Sequence, residues 1–228
     1  MYRPESLQGV DQYQRKIVEK TCVVSAMDDE LHTMKTSLLH AALKQGRTQA
    51  TQVTAFADGA QHCWSVLSVI APHCQTLECM LDWFHIGKTF QTLKNALGEA
   101  FATSLDRIKW KRWHGTVRDA LTKRALLREN STEDEQRAKM TGLHAYIQRH
   151  HAYIIHYDER DNAKNPSTSQ GAASHVDALM NARHKKTSKR QGTREGAHHV
   201  LQIGAMRAGE AWESTWQNAI LSALKAAV

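Results

Sequence analysis

Apolar positions follow two different spacings in the first third of the chain. Short apolar, β-branched runs over residues 20–26, 52–57 and 77–81 predict strands. Between these runs, apolar residues recur every three or four positions over 31–43 and 63–70, which predicts two helices. Strands that alternate with helices in this way favour a parallel sheet with right-handed crossover connections.

Helical spacing alone continues from residue 86 to the end of the chain. The apolar stripes predict helices over 86–101, from 113 onward, and over 140–154, 173–185, 194–206 and 210–226. The polar stretch from Asp158 to Gly171 predicts an exposed connection. We therefore expect an α/β protein with five parts, which are a polar segment 1–19, an α/β part 20–106, a helical insertion 107–158, an exposed linker 159–172 and a helical C-terminal part 173–228.

The composition is typical of a globular protein in a reducing compartment. The chain has 228 residues, of which 41% are hydrophobic, and a mean hydropathy of -0.54. This length is sufficient for a sizeable core. Its four cysteines are unevenly spaced, and no apolar run approaches the roughly 18 residues that cross a membrane. The polar N-terminus lacks the apolar stretch of a secretory signal. These features argue against a membrane-spanning protein and against a disulfide-rich secreted one.

The chain is basic, with a formal net charge of +7 and an isoelectric point near 9.3, which favours anionic partners. The excess is concentrated in one segment without acids, which contains Arg183, Lys185, Lys186, Lys189, Arg190 and Arg194. Such a segment fits phosphate contacts and a solvated helix end equally well. A second basic stretch interleaves lysine and arginine with Trp110 and Trp113. We interpret it as half-buried helix packing, with base stacking as the alternative.

Two acids stand where a predicted strand gives way to a helix. Asp58 ends the second predicted strand and precedes Gly59, and Asp82 ends the third. Acids in this position reach the rim of an α/β sheet, where a carboxylate can hold a divalent cation. Each acid can equally cap the helix that follows it. Asp82 also forms an Asp-x-x-His pattern with His85, which fits either a metal site or a cap beside a structural histidine.

Three sequence blocks together resemble bacterial insertion-sequence transposases with a DDE, RNase H-like catalytic domain. The blocks are Ala57-Asp58-Gly59-Ala60, then Leu81-Asp82-Trp83-Phe84-His85, then Thr193-Arg194-Glu195-Gly196-Ala197-His198. They stand in the family's order, and the sequence between them, notably Asn181-Ala182-Arg183-His184-Lys185, is similar too. The resemblance covers nearly the whole chain, from about Thr21 to Trp216.

The resemblance implies a partial RNase H-like sheet with crossover helices, followed by a mainly helical insertion and a helical C-terminal region. In this family three carboxylates bind two Mg²⁺ ions, which activate water or a 3′-OH for attack on a DNA phosphate. Asp58 corresponds to the second carboxylate, so it is expected to be catalytic and to bind metal. Asp82 and His85 are expected to support the site.

The resemblance also implies double-stranded DNA as the partner, both the element ends and the target. The basic segment from Arg183 to Arg194 would contact that DNA. The protein would be bacterial, cytoplasmic and nucleoid-associated, without a membrane partner, and a homo-oligomer is compatible with the family.

Two departures from the family pattern predict a loss of catalytic activity. No credible opening strand ending in an acid precedes residue 20, so we expect a truncated domain. Ala173 stands where the family has its third carboxylate, a Glu, and Asp177 is the candidate substitute one helical turn later. A shift of about 6 Å along a helix would misplace a metal ligand. Glycines at 192 and 204, where the family has Trp and Arg, are further departures.

We therefore expect a transposase-like protein that is truncated, catalytically impaired and weak in Mg²⁺ binding. The alternative is a non-catalytic DNA-binding or interaction remnant that uses the basic segment 183–194. An unrelated α/β metal hydrolase built on Asp58 and Asp82 is a third and less favoured interpretation.

Overall fold

A computed structural model describes residues 1–9, 15–115, 134–169, 193–209 and 212–226, without the side chains of residues 15 and 16. Over these ranges the protein is α/β and mostly helical, with a small antiparallel two-stranded sheet near the N-terminus and a small parallel two-stranded sheet later in the chain. The strands are β1 Leu7–Gly9, β2 Arg15–Ile17, β3 Gln52–Ala57 and β4 Thr76–Leu81. The α-helices are α1 His32–Lys44, α2 Gln61–Leu67, α3 Trp83–Leu97, α4 Glu99–Trp113, α5 Asp134–Arg149, α6 Tyr157–Asn162, α7 Arg194–Ala208 and α8 Trp212–Ala226. Short 3₁₀ helices lie at Pro4–Ser6, Ser68–His73 and His151–Tyr153.

Strands β3 and β4 are the two that the sequence predicts before Asp58 and Asp82. Near their first residues, the Gln75 amide donates a hydrogen bond to the Thr51 carbonyl. Where they end, the Asp82 amide donates to the Ala57 carbonyl. The strands are therefore parallel, and their carboxyl ends share one edge. The prediction of strands over 52–57 and 77–81 is confirmed.

The predicted strand over residues 20–26 is wrong, because that segment has no regular secondary structure. Side chains of α7 bond its backbone in place of a neighbouring strand. His198 Nδ1 accepts from the Ala26 amide at 3.3 Å, and Gln202 Nε2 donates to the Val24 carbonyl at 2.6 Å. The β-branched composition of the segment is typical of a strand, but the segment is only partly buried and pairs with no strand of the described ranges.

Over the described residues, several predicted helices are present but begin or end at other residues than predicted. The stripe over 86–101 is two helices, because Gly98 has a φ of +79° and separates α3 from α4. Trp113 ends α4 and does not begin a new helix. The stripe over 140–154 stops as an α-helix at Arg149. The predictions over 194–206 and 210–226 correspond to α7 and α8, and the one over 173–185 lies outside the described residues.

The chain divides into two compact units, residues 1–53, 64–77 and 170–228 in the first and residues 54–63 and 78–169 in the second. The first has a buried cluster of Leu38, Val66, Ile70 and Cys74. In the second, α3 packs against α4 and α5. The fully or almost fully buried side chains of those helices include Ile86, Phe90, Leu105, Ile108, Met140 and Ile147. The carboxyl ends of β3 and β4 belong to this second unit.

None of the helices over the described ranges is both long and apolar enough to cross a bilayer.

Candidate functional site

Asp58 lies in the turn between β3 and α2. The Ala60 amide donates to its Oδ1 at 2.9 Å, and this bond lowers the pKa of the Asp58 carboxyl below its usual value. The Cys63 thiol donates to the same carboxylate. Burial raises the pKa of the Cys63 thiol to about 11, and the nearby carboxylate adds to the shift, so the thiol stays protonated. Asp58 therefore stabilises the turn before α2, yet it remains solvent-exposed and accessible to a ligand.

Gly59 has a φ of +96° and lies directly beneath the ring of His150. A Cβ at position 59 would come within 2.7 Å of His150 Cε1. His150 follows the last residue of α5 and is only 6% exposed, and its ring meets that of Tyr146 edge to face at 5.0 Å. Burial lowers the pKa of the His150 imidazole, so the ring is neutral at neutral pH. Glycine is thus required at position 59 by both conformation and space.

Sequence reasoning missed His150 as a residue of this site. It stands beside His151, and neighbouring histidines on a helix do not share a face, so the pair carried no metal signal. The structure separates the two, with His150 buried against Gly59 and His151 exposed. No local sequence pattern links positions 59 and 150, because the contact depends on how α5 packs.

Asp82 is fully buried and caps α3. Its Oδ1 accepts from the Phe84 amide at 3.1 Å and from the Ser169 amide at 3.0 Å. Its Oδ2 accepts a short hydrogen bond from the Ser169 hydroxyl. The capping interpretation of Asp82 is confirmed, and both carboxylate oxygens are engaged by protein donors. These three donors occupy most of the acceptor positions of the carboxylate, so a metal ion at Asp82 would compete with them.

His85 is the predicted residue that lies near both acids. Its Nε2 is 3.9 Å from Asp82 Oδ2, and its side chain is 36% exposed. It is also close enough to Asp58 for a charged imidazole to lower the pKa of that carboxyl further. The structure thus gathers Asp58, Asp82 and His85 at one end of the sheet. Their roles in catalysis or support stay predictions.

The start of the predicted linker 159–172 is attached to the same strands. Just before it, the Tyr157 hydroxyl donates to the Leu81 carbonyl at 2.6 Å. Arg160 Nε donates to the Pro166 carbonyl at 2.6 Å, and its NH2 donates to Thr54 Oγ1 at 3.3 Å. Residues 161–165 are exposed, whereas 166–169 are buried or partly buried.

Most of the predicted DNA-binding residues and the third acidic position lie outside the described residues. These are Ala173, Asp177, Arg183, Lys185, Lys186, Lys189 and Arg190. Arg194 is described at the first position of α7, where it pairs with Asp28. Its guanidinium therefore has an acidic partner within the protein.

The described residues supply only part of what two Mg²⁺ ions would need. Within the described ranges, no three His, Cys, Asp or Glu side chains are grouped so that they could hold a metal ion. Of the two strand-end acids, Asp58 is accessible and Asp82 is not. Searches against family models, curated proteins and solved structures give no match for the chain.

Proposed function

We propose that this chain is a transposase-like protein with an RNase H-like catalytic domain, related to the DDE enzymes of bacterial insertion sequences and impaired in catalysis. The proposal starts from the three sequence blocks around Asp58, Asp82 and Arg194 and their order along the chain. One structural observation supports it most. Asp58 and Asp82 follow two parallel strands whose carboxyl ends share an edge.

That edge is where ligands bind in open α/β sheets, because the strand ends and the following helix starts leave a crevice there. The accessible Asp58 carboxylate lies at this edge, in the turn that follows β3. Mg²⁺ prefers carboxylate oxygens and the oxygens of bound phosphates. Asp58 is therefore the residue that we propose as a metal ligand.

In this proposal, Asp82 and His85 stabilise the structure at the carboxyl ends of β3 and β4. Asp82 caps α3 and fixes Ser169, so it supports the site through its hydrogen bonds. His85 lies close enough to both carboxylates to interact with each of them electrostatically. When bound, Mg²⁺ would polarise the scissile phosphate and the attacking water or 3′-OH. The basic segment with Lys185, Lys186 and Lys189 would contact the DNA backbone.

We propose that activity is impaired because Ala173 stands where the family has its catalytic Glu. A two-metal site loses a bridging or terminal ligand when one carboxylate becomes a methyl group. Asp177 is one helical turn away by sequence and would reach the same place only with a change of several ångströms.

The test is cleavage of terminal-repeat DNA in Mg²⁺ or Mn²⁺ by the purified chain, Ala173→Glu and Ala173→Glu/Asp58→Ala. We expect weak or no cleavage by the parent, a gain with Ala173→Glu and loss of that gain when Asp58 is removed. Robust cleavage by the parent that Asp58→Ala abolishes would overturn the impairment. Cleavage that survives removal of Asp58 would overturn its proposed role.

A non-catalytic DNA-binding remnant is the second candidate, favoured by the engagement of both Asp82 oxygens with protein donors. It predicts DNA binding that weakens with salt and with neutralisation of Lys185, Lys186 and Lys189. Cleavage by the parent chain would exclude it, as would binding that ignores those substitutions.

A further inference from the structure

Helix α4 contains a tryptophan, Trp110, whose side chain is not buried in the core of its unit. Trp110 is 51% exposed, in contrast to the half-buried packing that the sequence favours for this stretch. The buried side of α4 is formed instead by Ala102, Leu105, Ile108 and Arg112. An exposed indole offers a large aromatic face to a ligand, and tryptophan is enriched at binding interfaces.

Cations lie near this indole. The last eight residues of α4, from Asp106 to Trp113, contain one acid and four bases, of which Arg112 is buried and the other three are at least partly exposed. The acid, Asp106, is paired with Lys94 at 2.8 Å and lies 4.0 Å from Lys109. Arg107 is exposed, lies one turn before Trp110 and makes no ion pair with the part of the chain that the structure describes. The surface around Trp110 is therefore positive.

The indole is also oriented by its neighbours. Lys109 Nζ lies 5.3 Å from the Trp110 ring centroid, within the range of a cation–π contact. Trp113 meets Trp110 edge to face with centroids 6.1 Å apart. These contacts restrict the ring without covering it, so part of its π surface remains available.

An aromatic cluster links this surface to the candidate site. Trp113 packs edge to face against Trp83 at 4.9 Å, and both rings contact Tyr157. Trp83 directly follows Asp82, at the carboxyl end of β4. All these residues belong to the same compact unit as Asp58 and Asp82. A polyanion bound at the strand ends would thus have a positive, aromatic surface beside it.

We propose that the exposed face of α4 around Arg107 and Trp110 binds DNA, with Trp110 stacking on an unpaired base and Arg107 contacting a phosphate. Base stacking on an aromatic side chain tolerates any sequence, and neighbouring cations hold the backbone. The inference rests on the proposed function for its DNA partner, but it needs neither metal nor catalysis. It assigns this role to α4 in addition to the basic segment 183–194.

The test is DNA binding by the full chain in EDTA, measured by fluorescence anisotropy. Labelled single strands, a perfect duplex and a duplex with one unpaired base are compared. We expect Trp110→Ala to weaken binding to the single strand and the bulged duplex by about tenfold, as for loss of one stacked base. Trp110→Phe, which keeps a smaller aromatic face, should recover part of the affinity.

The matched control is Trp216→Ala. Trp216 is 56% exposed, on α8, and stacks on Trp212 at 5.9 Å. Its loss should leave binding unchanged. Arg107→Ala should weaken binding to all three DNAs alike and reduce the salt slope by about one.

Equal binding by Trp110→Ala and the parent on every DNA would overturn the inference. So would an equal loss with Trp216→Ala, or failure of the parent to bind any DNA. Binding that depends on Trp110, together with no cleavage by any variant in Mn²⁺, would refute catalysis alone and leave this surface standing.

Discussion

At the scale of single residues, the turn after β3 depends on one glycine. Gly59 has a φ of +96°, and the His150 ring occupies the space that a side chain at position 59 would need. Neither condition is visible in the sequence, where Asp-Gly suggests only a turn. The metal-ligand role proposed for Asp58 requires that this turn keep its conformation, since ligands tolerate little displacement.

We predict that Gly59→Ala lowers the free energy of unfolding by about 1–3 kcal/mol, from backbone strain and overlap with His150. Gly142→Ala is the control, because Gly142 lies within α5 and a Cβ there would meet nothing within 4 Å. That change should be neutral or stabilising by up to about 1 kcal/mol. Urea denaturation measures both. Equal effects of the two substitutions would contradict the contact with His150.

At the scale of elements, the buried carboxylate of Asp82 connects the segment that contains Ser169 to the carboxyl end of β4. Ser169 gives both its amide and its hydroxyl to Asp82, and the carboxylate also caps α3. One side chain therefore joins the start of a helix to a distant segment. These hydrogen bonds provide donors for both oxygens of the buried Asp82 side chain.

We predict that Ser169→Ala costs about 1.5–3 kcal/mol of unfolding free energy, because a buried carboxylate loses a hydroxyl donor. Ser68→Ala provides the comparison, since the Ser68 hydroxyl is exposed and bonds only the Ser65 carbonyl at 3.0 Å. Its effect should lie within about 0.5 kcal/mol. A loss at position 169 no larger than at 68 would show that the Asp82 bond is absent in solution.

The sequence predicts those elements whose apolar residues are regularly spaced. Strands β3 and β4 and helices α7 and α8 follow directly from that spacing. It mispredicts residues 20–26, because α7 side chains rather than a strand bond their backbone. The site shows the same division. Asp58, Asp82 and His85 follow from strand-to-acid order, whereas His150 and Ser169 enter only through packing between distant segments.

At the scale of the whole molecule, two properties have to be explained together. The chain has a net charge of +7, which favours a polyanionic partner, and a strand-end acid pair of which only Asp58 is accessible. The proposed DNA-binding protein with an incomplete metal site would account for both. In that proposal, Ala173 is the position at which a carboxylate is missing.

The affinity for Mn²⁺ tests this central claim most directly, measured from the loss of the free-ion electron paramagnetic resonance signal. We predict that Ala173→Glu binds Mn²⁺ at least about tenfold more tightly than the parent, as expected for a restored ligand. Adding Asp58→Ala should remove the gain, and Ala172→Glu, which adds the same charge one residue away, should not reproduce it. An unchanged affinity in Ala173→Glu, or a gain that survives the loss of Asp58, would contradict the account.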